Sequence, residues 1–124
     1  MRIFKTKLFA RFARRERISD GALCEAVERA EKGLVDADLG GGVIKQRIAR
    51  KGQGRSGGYR VLLAFRSKDR TVFVYGFAKS DRDNIDDQEL VVVREVAASW
   101  LAADTKMIEL ALAQGLLIEV ENDN

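Results

Sequence analysis

The chain has 124 residues, 46% of them hydrophobic and 33% charged, with one cysteine, no histidine and no proline. Such a chain can bury its own core as one domain, 1–124, and its composition excludes an intramolecular disulfide, histidine-led catalysis and a zinc ligand set. The net charge of +3 hides an asymmetry: residues 41–82 carry 11 basic and 2 acidic groups, whereas residues 83–124 carry 2 and 10.

Arg2 to Phe4 reads as a short edge strand. Leu8, Phe9, Phe12 and Ala13 then recur at helical spacing among Lys7, Arg11, Arg14 and Arg15, which predicts a basic amphipathic helix with its stripe on a core. Ser19 is placed to cap a second helix, with Asp20 at its positive end, Leu23, Val27, Ala30 and Leu34 on one stripe, and Gly33 near the stop.

Gly40 to Gly42 break the chain, and Val43 to Arg50 alternates, with Ile44 and Ile48 on one side and Lys45 and Arg47 on the other. That spacing is a strand's. Lys51 to Gly58, KGQGRSGG, predicts a loop; its spacing fits neither a Walker A nor a dinucleotide motif.

Tyr59 to Arg66 and Thr71 to Ala78 predict a hairpin with two or four loop residues. With Arg66 opposite Thr71, Arg60 faces Phe77. Arg60, Leu62 and Ala64 then share a face with Phe73, Tyr75, Phe77 and Lys79, and Tyr59, Val61, Leu63, Phe65, Val72 and Val74 form the floor for the N-terminal helices.

A third helix opens with Asp86 as cap, Glu89 three residues on and an Ile85/Leu90 staple. It runs to about Ala103 on a stripe of Leu90, Val93, Ala97, Trp100 and Leu101. Thr105 to Gln114 predicts a fourth helix closed by Gly115, and Leu116 to Glu121 a last strand. The fold class is α+β: a small, mostly antiparallel central sheet with two N-terminal helices on one face, followed by C-terminal helices.

Lys51, Arg55, Arg60 and Lys79 converge on the open end of the hairpin, with Arg50 and Arg82 at its margins. Clustered cations disfavour one another's protonation, so a lysine there is shifted towards proton transfer, while guanidinium groups clamp a phosphate. Attack of a ribose 2′-hydroxyl on its own 3′-phosphate needs only such groups. A phosphate-binding loop without chemistry is the alternative that charge alone leaves open.

GRSGGYRVLLAF (Gly54 to Phe65) and VYGFAKSDRDNI (Val74 to Ile85), together with the element order, resemble the RelE/HigB/ParE superfamily of small bacterial toxins, in particular its HigB-like branch. The resemblance covers about residues 1–103, leaving 104–121 as an addition to the minimal toxin fold. It implies an mRNA interferase that cuts mRNA on the ribosome and is held inactive by a cognate antitoxin protein.

The catalytic residues it implies are Lys51, Arg55, Arg60 and Lys79; Lys45, Arg47, Arg50, Tyr75, Phe77 and Arg82, in the same basic segment, are the candidate RNA contacts. A second loop lysine of the family meets Gln53 here. A gyrase-directed toxin of the ParE kind and a non-catalytic nucleic-acid-binding module are the rival functions. No cofactor and no metal are expected. With no membrane-length apolar run and no signal-peptide pattern, the expected location is the cytoplasm, without a membrane partner.

Overall fold

The elements follow in the order β1 (Arg2–Thr6), α1 (Lys7–Glu16), α2 (Asp20–Glu31), β2 (Ala37–Gly40), β3 (Val43–Arg50), β4 (Gly54–Arg66), β5 (Arg70–Ala78), α3 (Asp87–Ala102), α4 (Thr105–Ala113) and β6 (Leu117–Glu119). The computed structural model describes residues 1–50, 52 and 54–121, apart from the side chains of Arg55 and Ser56. Its six-stranded sheet has the order β2-β3-β4-β5-β1-β6, antiparallel except where β1 runs parallel to β5. The α+β class with a mostly antiparallel sheet is as the sequence predicts.

Local signals set the helix starts. The Thr6 and Ser19 hydroxyls accept from the N–H groups of Phe9 and Ala22. Asp86 and Glu89 form a reciprocal capping box on α3, and each such cap stabilises by about 1 kcal/mol. The stripes hold in outline, with two corrections. Leu8 is 63% exposed and Leu34 is 61% exposed. Leu8 lies off the buried arc of Phe9, Ala10, Phe12 and Ala13, and Leu34 follows the end of α2, where Gly33 has turned the chain at φ +80°.

The strand at the N-terminus is not an edge. Ile3 belongs to the core under α1 and α2 while Phe4 belongs to the core under α3, so β1 is covered on both faces, as interior strands are. It sits between β5 and β6, and α4 and β6 contribute buried Ile108, Ala111 and Leu117 to the second core. Four-residue β2, unmarked in the sequence, pairs with β3 through the glycine turn.

The predicted loop 51–58 is in part a strand. Lys51 and Gln53 lie outside the described residues, but β4 begins at Gly54, with Gly54 opposite Arg50. A Cβ on Gly58 would stand 2.2 Å from the Ile48 carbonyl oxygen, so a lack of side chains here permits close strand approach rather than a loop.

In the β4–β5 hairpin the register is right at the open end and wrong at the turn. Arg60 pairs with Phe77, but Arg66 pairs with Arg70 across a three-residue loop, Ser67 to Asp69, in which Lys68 takes φ +59°. The register shifts between Leu62, opposite Tyr75, and Leu63, opposite Phe73, leaving Val74 as the extra residue of a β-bulge. Side-chain alternation therefore inverts on the turn side. Phe73 packs under α1, 5.2 Å from the Phe9 ring, while Val72 and Val74 join the α3 core, the reverse of the predicted faces.

Gln46 is fully buried, and its amide binds the Ala26 and Leu34 carbonyls at 3.0 Å each and the Asp36 N–H at 2.9 Å. It ties the end of α2 and the approach to β2 onto β3. Gln46→Leu is expected to lose about 3 kcal/mol in urea unfolding, because three backbone groups lose their partner together. A loss below about 1 kcal/mol would show that the clamp is dispensable.

Candidate functional site: a cation cluster on the α3 face of the sheet

Alternation along β3 and the open-end register of the hairpin place Arg47, Arg60 and Phe77 in one row across β3, β4 and β5, with Lys45, Leu62 and Tyr75 in the next. Lys79, one residue past β5, donates its backbone N–H to the Gly58 carbonyl at 2.9 Å, which puts it diagonal to Arg60 on the side away from Lys45. Directly opposed residues in such a ladder stand about 5 Å apart and diagonal ones about 7–8 Å. Arg60 is thus the centre of a cluster completed by Lys45, Arg47 and Lys79, and it is only 7% exposed.

Burial, and then the neighbouring Arg60, Arg47 and Lys79 cations, push the Lys45 ammonium below the ordinary lysine pKa against the opposing pull of Asp36. Burial and Arg47 lower the Arg60 guanidinium as well, although a guanidinium stays charged at neutral pH. Asp36 is the nearby counter-charge: its carboxylate accepts the Arg47 backbone N–H and lies 4.0 Å from Arg47 Nε and from Arg29 Nη1. The cluster combines fixed guanidinium charge with one lysine that releases its proton more readily than usual. Those are the requirements for holding a phosphate and moving a proton beside it.

The remaining sequence-derived candidates divide. Arg82 binds the Glu89 carboxylate through both terminal nitrogens, at 2.6 and 3.1 Å, donates from Nε to the Asn84 carbonyl at 2.8 Å and stacks 5.6 Å from the centre of the Phe77 ring. Tyr75 donates its hydroxyl to Glu89 at 3.1 Å. The hydrogen bonds from Arg82 lead in driving the Glu89 carboxyl down to about 2, and burial leads in raising the Tyr75 phenol. Tyr75, Phe77 and Arg82 are therefore tied into a lock that fixes the β5–α3 connection, where Lys79 also holds Asp83 at 2.9 Å.

Arg50 lies on the other face, 5.6 Å from the centre of the Tyr59 ring, with Nη1 3.4 Å from Ser80 Oγ. Lys51 lies outside the described residues, as does the side chain of Arg55, although the Arg55 backbone is part of β4. Two residues of the site carry no sequence signal for it. Asp36 comes from the unmarked approach to β2, and Glu89 reads only as a capping residue. Lys45 reads as an RNA contact, because its lowered proton affinity arises from neighbours on another strand.

Among the described residues no group of three His, Cys, Asp or Glu side chains is placed to hold a metal ion, and no helix is long and apolar enough to cross a membrane. The sequence pattern of one family, described as RelE toxin of RelE / RelB toxin-antitoxin system, matches residues 1–120 and so runs through α4 and β6. No curated protein matches the chain.

The lock has a definite pH signature. Glu89 is lowered from 4.5 to about 2, so its stabilisation is fully present above pH 4.5 and is lost as the pH falls towards 2. The stability difference between the wild type and Glu89→Gln is expected to be level from pH 7 to 5 and to shrink below that. A difference independent of pH would mean that ionisation of Glu89 contributes nothing to the lock.

Proposed function

The chain belongs to the RelE toxin family of toxin–antitoxin systems, and from that premise we propose that it is a ribosome-dependent mRNA endonuclease of the HigB-like branch, arresting translation until a cognate antitoxin silences it. The observation that carries this reading is the cluster around Arg60, in which Lys45, Arg47 and Lys79 surround a nearly buried guanidinium on one face.

The neutral Lys45 amine takes the proton of a ribose 2′-hydroxyl. The 2′-oxygen forms a bond to the adjacent phosphorus, and Arg60 and Arg47 hold the charge that develops on the equatorial oxygens. The bond from phosphorus to the 5′-oxygen breaks, and that oxygen receives a proton from the Lys79 ammonium. The products are a 2′,3′-cyclic phosphate and a 5′-hydroxyl end. The ribosome supplies in-line alignment of the mRNA. Lys51 and Arg55, in the glycine-rich segment of the sequence, are assigned to the flanking phosphates.

Expression in growing bacteria with mapping of mRNA 5′ ends tests the activity. Cuts inside translated codons are expected, whereas a DNA-damage response without cuts would favour a gyrase-directed toxin. Arg60→Ala is expected to slow single-turnover cleavage on programmed ribosomes about a hundredfold, equivalent to about 3 kcal/mol of transition-state stabilisation. A folded Arg60→Ala protein of full activity would remove Arg60 from the site.

Arginine keeps charge at either lysine position but is too weak an acid to exchange protons. Lys45→Arg is expected to lose about a hundredfold in the cleavage step. In the wild type the rate should rise with pH and level off below the ordinary lysine pKa, since the neutral amine is the active form. Unchanged cleavage by Lys45→Arg would remove Lys45 as the base.

A further inference from the structure

The face of the sheet turned away from Arg60 has cations of its own. Where α1 ends and α2 begins, against the end of β3, lies a hollow of about 630 Å³, a volume in the range of small-molecule sites. Ile18, Ala22, Ile48 and Tyr59 give it an apolar wall, and Arg15, Arg17 and Arg50 line it as well. Ile18, Ile48 and Tyr59 are buried, whereas Arg15 and Arg17 are exposed. Arg50 rests over the Tyr59 ring with Nη1 3.4 Å from Ser80 Oγ. Three guanidinium groups thus meet one lining carboxylate, Glu16, which lies 3.4 Å from Arg15 Nε.

Arg17 adds an independent observation. It closes α1 at φ 57° and ψ 40°, the left-handed conformation that glycine or asparagine ordinarily supplies at a helix end, because a Cβ is disfavoured there. The turns after α2 and α4 use glycine for it, Gly33 at φ +80° and Gly115 at φ +74°. At the end of α1 the chain instead keeps a guanidinium at a strained backbone position, and strain of this kind points to a use for the side chain. Ser19 and Ala22, at the start of α2, also line the hollow, so the positive end of that helix adds to the field, and Asp20 beside them is drawn to Lys5 at 2.8 Å.

We propose that this hollow is a second anion site, separate from the cluster around Arg60, and that it takes a ligand with two or more adjacent phosphoryl groups, held by Arg15, Arg17 and Arg50. Guanidinium groups bind phosphate oxygens in pairs and keep their charge at any physiological pH. Three of them match the charge of two linked phosphoryl groups better than that of one. The wall of Ile18, Ile48 and Tyr59 gives a flat group attached to those phosphates an apolar surface to rest on. A nucleoside di- or triphosphate and consecutive phosphates of a nucleic-acid strand both present this chemistry, and a bounded hollow with an apolar wall favours the nucleotide. Nothing in the site depends on whether the protein cleaves mRNA, since Lys45, Arg47, Arg60 and Lys79 lie on the opposite face.

The test titrates the full chain with pyrophosphate, orthophosphate and tetraglutamate while following the arginine Nε–H signals by NMR, with no ribosomes present. Pyrophosphate is expected to bind saturably, to move the signals of Arg15, Arg17 and Arg50, and to bind at least about tenfold tighter than orthophosphate or tetraglutamate. Arg17→Gly and Arg17→Asn should weaken pyrophosphate at least about tenfold while leaving the Tm unchanged or raising it, because both residues suit the left-handed position. A purely structural Arg17 would show no loss of binding. Glu16→Gln should tighten binding, and Arg60→Ala should leave it as it is. ATP and a 2′-deoxy dodecamer, compared on the same signals, identify the source: tighter binding of ATP assigns the site to a nucleotide, tighter binding of the dodecamer to a strand, and either supports it. No saturable binding, equal affinity for orthophosphate or tetraglutamate, or loss of binding in Arg60→Ala but not in Arg17→Gly would each overturn the proposal.

Discussion

One extra residue in β5 decides how the two cores meet the sheet. The three-residue turn at Ser67 to Asp69 shifts the hairpin by one position, and the bulge at Val74 shifts it back. Between the two, side chains swap faces. Phe73 becomes the ring under Phe9 and α1, while Val72 and Val74 go to the α3 core with Leu62 and Ala64. Beyond the bulge the original alternation resumes, so Phe77 stands opposite Arg60 rather than one residue away. A bulge also increases local twist, and the end of the β1–β5 pairing lies next to it.

The cluster on that ladder exists because neighbouring charges are allocated elsewhere. The acidic C-terminal third folds back on particular cations: Asp83 on Lys79, Glu89 on Arg82, Glu109 and Glu119 on Arg2. Most of these pairs are solvent-exposed and contribute little to stability one by one. Their effect is on geometry, since Arg82 is drawn off the sheet onto Phe77 and Glu89, and the β5–α3 connection is held beside the cluster. Lys45 and Arg60 face Asp36 as the nearby opposing charge, and burial of two cations side by side lowers the proton affinity of the lysine. A basic segment of this size is not in itself a site. It becomes a candidate site where the sheet brings like charges together.

Apolar surface and unpaired backbone are distributed with the same economy. On the α1–α2 side the Phe9, Phe12, Phe73 and Tyr59 rings close the core, with Phe12 and Tyr59 edge to face at 5.9 Å, and Gly76 leaves the space that Phe12 fills. On the α3 side Val93, Ala97 and Leu101 are buried while Val92 points outward beside Leu8. The α3 side thus leaves apolar side chains exposed where β5 loses its second partner.

The sequence by itself determined what depends on near neighbours: the Ser19 cap, the Asp86–Glu89 capping box, the alternation that puts Lys45 and Arg47 on one side of β3, and the pairing of Arg60 with Phe77. These interactions span one to four residues or a single hairpin, so residue type and spacing contain them. The tertiary structure alone decided that β1 is interior, that Gly54 to Gly58 is strand, that Phe73 and Val74 exchange faces, that Gln46 is a buried clamp and that Arg50 turns away from Arg60. Each depends on partners distant along the chain or on one uncounted residue in a ladder. The proton affinity of Lys45 belongs with them, because desolvation and the approach of Arg60 are properties of the packed sheet and have no counterpart in an extended chain.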